Sequence, residues 1–188
     1  MNEDLLQGRL VRFKAVDPQT MAEAYSRWSR DSWYWRLMSG EPAYPVSVKS
    51  TQEWLEEELF KDPPGFILFA IHTLEDDRLI GEAGFEDDYA APGESFISLG
   101  IGEQSDWGKG YGSDAMRILL RYAFMELNLR RISLTVSEYN LRGIRSDRKA
   151  GFVEEGRLRG GELRDGHRTD LIYMGILKEE WEKMQGES

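Results

Sequence analysis

The residues whose types and spacing most directly imply chemistry are Asp106-Trp107-Gly108-Lys109-Gly110-Tyr111-Gly112-Ser113. Glycines at alternate positions let a backbone turn until several N–H groups converge. A helix starting there adds its unpaired N–H groups and the positive end of its dipole. Lys109 adds a full charge, and the composite would cradle a pyrophosphate. A Gly-x-Gly-x-Gly string alone is not diagnostic, because glycine turns also precede helices for packing reasons. Spacing rejects two nucleotide-binding alternatives. A P-loop requires Gly-x-x-x-x-Gly-Lys-[Ser/Thr], whereas Lys109 is followed by Gly110. A dinucleotide fingerprint requires Gly-x-Gly-x-x-Gly early in a parallel array, but here the third glycine comes a residue too soon and three strand-like segments precede it.

Composition removes other chemistries. There is no cysteine, which excludes disulfides, thiolate nucleophiles and cysteine metal sites. His72 and His167 are the only histidines, so a histidine triad or metal cluster is a poor fit and no metal is expected. With 24 Lys and Arg against 34 Asp and Glu, the net charge is −10. That balance aids solubility, repels phosphate backbones and attracts a cationic amine, so nucleic acid is not an expected partner. Apolar runs are too short to span a membrane and no export signal is recognisable, which makes the cytoplasm the default compartment. The 188 residues suit one domain over positions 1–188, as monomer or homodimer.

The elements that must position the glycine loop follow from patterning. Arg9 to Ala15 reads as a first strand. Asp17-Pro18 starts a helix, with Asp as N-cap and Pro at the first helical position. Trp33 to Pro45, rich in aromatics and Pro, reads as a loop, and the capping box Ser50-Thr51-Gln52-Glu53 opens a second helix through Phe60. Phe66–Thr73, Arg78–Phe85 and Ser95–Ile101 read as three strands. After the loop a helix runs to about Leu127, with Met116, Leu119, Leu120, Ala123, Phe124 and Leu127 on its apolar stripe. Arg131–Val136 alternates as a strand, and Asn140–Ala150 is a helix closed by Gly151. Phe152–Leu163 and Arg168–Leu177 flank an Asp165-Gly166 hairpin turn, and Lys178–Met184 is a final helix. Three adjacent strands favour antiparallel pairing, and the strand–helix–strand unit around the loop favours a parallel crossover.

Two separated blocks together resemble the GCN5-related N-acetyltransferase (GNAT) superfamily. Trp107-Gly108-Lys109-Gly110-Tyr111-Gly112 is similar to its [Gln/Arg]-x-x-Gly-x-[Gly/Ala] coenzyme A motif. Trp107 departs at the first position and points to the branch of ribosomal-protein N-terminal acetyltransferases. Asn140 to Arg145 with Lys149-Ala150-Gly151-Phe152 is similar to the family's Asn…Lys-x-Gly-Phe helix and turn. Glu154 to Leu158, Arg164-Asp165-Gly166 and Tyr173-Met174 look like the carboxy-terminal hairpin of that branch. The resemblance spans Leu10 to Trp181. It implies an α/β (α+β) fold: a mixed, mostly antiparallel sheet of about seven strands flanked by helices, with a splay between strands four and five.

It also implies acetyl transfer from acetyl-coenzyme A to a primary amine by direct attack in a ternary complex. The acceptor would be a protein N-terminal α-amine or a small molecule such as a polyamine. The amides of Gly108, Lys109, Gly110, Tyr111, Gly112 and Ser113 would hold the pyrophosphate, with Trp107 in the coenzyme-binding set but offering one phosphate contact fewer, Asn140 the pantetheine arm, and Arg145 and Lys149 the tail. Leu99-Gly100-Ile101-Gly102 would be the strand that pairs with pantetheine, its glycines suiting a bulge or close approach. An ammonium of pKa ~10.4, or ~8 for an α-amine, must lose a proton first. Glu82 and Glu94 are candidate bases, each also readable as a solvated charge, with Glu82 the better. The family's usual tyrosine acid falls on Asp147, which reads as a solvent-facing helix residue, ionised and without a proton to give. Tyr139 and Tyr111 are substitutes. Trp33 to Arg36 and Pro42 to Pro45 would shape the acceptor pocket. A non-catalytic coenzyme A-binding sensor or interaction domain of the same fold is the alternative.

Overall fold

The computed structural model describes residues 4–61, 66–86 and 92–186. Its strands are β1 (Val11–Ala15), β2 (Phe66–Thr73), β3 (Leu79–Glu86), β4 (Glu94–Ile101), β5 (Arg131–Ser137), β6 (Val153–Arg164) and β7 (His167–Leu177). Its helices are α1 (Pro18–Trp28), α2 (Ser32–Met38), α3 (Val48–Leu59), α4 (Tyr111–Arg121), α5 (Leu141–Ala150) and α6 (Lys178–Gly186). The strands form one seven-stranded sheet in the order β1-β2-β3-β4-β5-β7-β6. Every neighbouring pair is antiparallel except β4 and β5, which run parallel. This is the mixed sheet expected from the element order.

Strand alternation divides the core between two faces. On one side Ala70 packs with Met21 and Trp28 of α1, Tyr34 of α2 and Leu55 of α3. On the other, Ile71, Ala83 and Phe85 pack with Ala115, Met116, Ile118 and Leu119 of α4. Each fully buried side chain of this size contributes about 1.5–3 kcal/mol, so the two layers fix where α2 and α4 lie against β4.

Three local expectations need correction. Residues 32–38 are helical, because Asp31 accepts a hydrogen bond from the Trp33 N–H and caps α2. The weak helix propensity of its aromatics is overridden by burial of Tyr34. Helix α3 begins at Val48, since Ser47 accepts from the Ser50 N–H and caps it earlier than Ser50 would. The long helix loses regular α geometry after Arg121 and closes with a π turn over Tyr122–Glu126. The hairpin turn is as expected: Asp165 and Gly166 both adopt positive φ, 50° and 76°.

Candidate active site

Strands β4 and β5 pair only through Glu94↔Arg131, Ser95↔Ile132 and Phe96↔Ser133. Beyond Phe96 they diverge, as expected, while β4 stays paired with β3 as far as Gly81↔Ile101. The divergence opens a cleft of about 580 Å³, with Leu99–Ile101 on one wall and Leu134–Val136 on the other. The backbone edge of β4 that would have paired with β5 is thereby offered to a ligand.

The glycine loop lines the end of this cleft. Gly108 and Gly110 have φ of 77° and 91°, values at which a side chain would be strained. Gly110 is the N-cap of α4, so the amides of the first turn point out of the helix at the cleft. Trp107 donates its indole N–H to the Ile101 carbonyl at 2.7 Å, tying the loop to the end of β4. Its ring carries the Arg142 guanidinium at 3.7 Å, which places a cation from α5 on the cleft wall. Lys109 does not present a free charge: its Nζ lies 3.1 Å from Asp106, which Arg78 also holds through two hydrogen bonds. Asp114, an acid in the first helical turn, would oppose a bound anion. It is instead committed to the Leu10 and Val11 amides at 2.7 and 3.1 Å.

Helix α5 supplies the facing wall. Asn140 caps it, accepting from the Gly143 N–H at 2.9 Å, and also lines the cleft with Lys149. Ser113 and Ser146 meet at 3.4 Å where α4 and α5 approach. Arg145 is exposed and outside the cleft lining. Asp147 is not solvent-facing. It lines the cleft, is 8% exposed, and burial pushes its carboxyl up to about 7. Helical spacing explains the difference: position 147 shares the inward face with Ile144.

A second cavity of about 900 Å³ lies under α2 and α3 on the opposite face of the sheet. Tyr34, Trp35, Met38, Tyr44 and Pro45 line it, so most of the aromatic segment reaches it. Trp33 is turned away onto Tyr139. The register aligns Glu82 with Gly100 and Gly84 with Ser98, so the floor is built of small residues beside a carboxyl. Glu82 is 8% exposed and not the solvated charge that its type suggests. Burial, and secondarily the nearby Glu86, pushes its carboxyl up to about 8. Tyr34, Met38, Glu86 and Ser98 line both cavities, which therefore meet beside Gly100.

Some expected groups are elsewhere. Glu94 is ion-paired with Arg130 at the far end of β4 and lies outside both cavities. Tyr139 donates to the Arg36 carbonyl at 2.6 Å, a structural bond between the turn after β5 and α2. Tyr111 packs against the core at the start of α4. Gly100 and Gly102 mark no bulge. A side chain at 100 would strike Met38 at 2.6 Å, and one at 102 would enter the Trp28 ring at 2.0 Å. Sequence reading missed Arg142 and Glu86. Glu86 was accessible through the two-residue period from Glu82, whereas the Arg142 stack depends on how α5 docks.

The acetyltransferase (GNAT) domain family matches residues 9–153 of this chain. The SPbeta prophage-derived uncharacterized N-acetyltransferase YokL of Bacillus subtilis (strain 168) is 32% identical over 151 residues, 76% of this chain and 78% of that protein. The putative ribosomal N-acetyltransferase YdaF of the same organism is 40% identical over 75 residues, 40% of this chain and 41% of that protein. Among solved structures, a spermidine N-acetyltransferase from Vibrio cholerae in complex with CoA and spermine superposes with a TM-score of 0.80. It is 20% identical, covering 91% of this chain and 97% of that one. A GNAT-family acetyltransferase from Bacillus anthracis gives 0.76 at 21% identity, covering 93% and 98%. No helix among the described residues is long and apolar enough to cross a membrane.

Proposed function

The chain belongs to the GNAT acetyltransferase family, whose acyl donor is acetyl-coenzyme A, and from that premise we propose that it acetylates a primary amine, with peptide or protein N-terminal α-amines as the preferred class. The observation that carries this reading is Glu82, a buried carboxyl on the floor of an aromatic cavity that opens onto the coenzyme-sized cleft.

The cleft fits the donor. The α4 amides and Arg142 would hold the pyrophosphate, the free edge of β4 would pair with pantetheine, and Asn140 would contact the same arm. The acceptor cavity fits a cation: Glu82 and Glu86 stand beneath Trp35, Tyr44 and Trp54. With its carboxyl raised to about 8, Glu82 is basic enough to take the proton of a bound ammonium. An α-amine, of pKa ~8, matches a base near 8. A lysine-type amine at ~10.4 would lose its proton uphill by ~3 kcal/mol, which favours the α-amine. Asp147, partly protonated near neutrality, would give its proton to the departing thiolate from the cleft side. Thiolate of pKa ~8.5 needs only modest help, so the base matters more than the acid.

Glu82→Gln tests the reading with a short peptide carrying a free α-amine. We expect kcat to fall by about 10²–10⁴, the range for a proton-transfer group, with acetyl-coenzyme A affinity unchanged. Turnover within threefold of the parent would remove Glu82 from the mechanism.

A further inference from the structure

One polar group at the junction of the two cavities is used by neither role. The Tyr34 hydroxyl is buried and has no hydrogen-bond partner among the described residues. The residue is only 2% exposed. Leaving such a group unpaired is costly and calls for an explanation. Its position is fixed by packing. The ring lies against Trp28 at 5.7 Å between centroids, and the hydroxyl is 3.4 Å from where a Cβ on Gly100 would be. Gly100 is the residue opposite Glu82, and Tyr34 lines both cavities. The phenol therefore stands where an amine from one cavity must meet an acyl group in the other.

We propose that the Tyr34 hydroxyl is a catalytic hydrogen-bond donor to the acyl carbonyl oxygen, polarising it in the bound thioester and stabilising the oxyanion during transfer. This rests on the acetyl-transfer reading above. A donor is what the position provides. Burial raises the phenol well above its ordinary value, so it stays neutral and keeps its proton. Its O–H has no acceptor among the described residues to give up, and once Met38 beside it moves aside for the acyl oxygen the donor is held in place by its ring packing. As the amine nitrogen bonds to the carbonyl carbon, the π pair moves onto oxygen and Tyr34 donates to it. The pair then returns, the carbon–sulfur bond breaks with its electrons on sulfur, and acetamide and thiolate result. Glu82 takes the ammonium proton before attack and releases it to solvent, then takes the second nitrogen proton from the adduct, and Asp147 supplies the thiol proton, so Tyr34 neither gains nor loses one. Ser98 lines the junction of the two cavities, while the space over Gly100 is taken by Met38.

Tyr34→Phe removes the donor and keeps the ring. Three readouts apply: thermal stability, the infrared carbonyl stretch of ¹³C-acetyl-coenzyme A on the protein, and kcat with a peptide amine. Because the hydroxyl has no partner to lose, Tm should stay level or rise. The carbonyl stretch should lie lower on the parent protein than in water and move back up in the variant. Turnover should fall about 10²–10³-fold, with KM for the donor unchanged. An unshifted stretch on the parent protein, a shift that Tyr34→Phe preserves, or kcat within threefold would overturn the proposal. A fall in Tm would assign Tyr34 a structural bond instead. If no amine is acetylated but the stretch responds to Tyr34→Phe, the acceptor reading fails while the hydrogen bond stands.

Discussion

At the scale of single residues, two carboxyls are buried where the sequence suggests solvent. Asp147 lies on the inward face of α5 and Glu82 on the floor of a cavity. The burial of Asp147 has a consequence for stability. Its carboxyl is pushed up from 3.8 to about 7, so between those values it is protonated when folded and ionised when unfolded. Stability from the protonated form is complete at low pH and is lost as pH rises through that window. Asp147→Asn removes the loss, so the variant should match the parent near pH 4 and exceed it by about 4 kcal/mol above pH 8. Urea denaturation across that range is the check, and a pH-independent difference would place Asp147 in solvent. Catalytically, the variant should turn over about 10²-fold more slowly and lose the alkaline limb near 7. The residue types at 82 and 147 were readable, but their protonation was not. It depends on neighbours brought from β4, α2 and β5, which no local pattern reveals.

Among the elements, the glycine loop and the β4–β5 splay act together. The loop was legible because its chemistry is local: residues of positive φ must be glycine or nearly so, and a helix start follows at fixed spacing. The splay was legible only through the resemblance, since unpairing of two strands leaves no compositional trace. Helix α2 was misread as a loop, because its stability comes from the Asp31 cap and from Tyr34 in the core rather than from propensity. The loop's geometry gives a direct test. At Gly110, φ is 91° and a Cβ would sit 3.2 Å from Leu10. Gly110→Val should therefore cost about 1–3 kcal/mol of stability and turn the first α4 amides off their target. Calorimetry should show acetyl-coenzyme A affinity at least tenfold weaker, while peptide-amine binding in the other cavity is retained. Unchanged donor affinity would exclude this loop from the pyrophosphate site.

Over the whole molecule, the seven-stranded sheet separates two cavities that meet at one place. The α4–α5 side carries the cleft proposed for the donor and the α2–α3 side the cavity proposed for the amine. Tyr34, Met38, Glu86 and Ser98 are common to both. Strand order and the parallel pair follow from element sequence, which is why the mixed sheet was foreseeable. Two cavities meeting across β4 depend on side-chain packing of α2 and were not. The net charge of −10 suits a cationic acceptor but does not select among amines. The central claim, amine acetylation at that junction, is tested most directly by thiol release from acetyl-coenzyme A. The panel is a short peptide with a free α-amine, its N-blocked form with a lysine side chain, and a polyamine. We expect release that depends on the amine, matches acetylated product one for one, and is fastest with the free α-amine. Tight acetyl-coenzyme A binding with no amine-dependent release from any member would contradict it and leave a non-catalytic coenzyme A-binding domain.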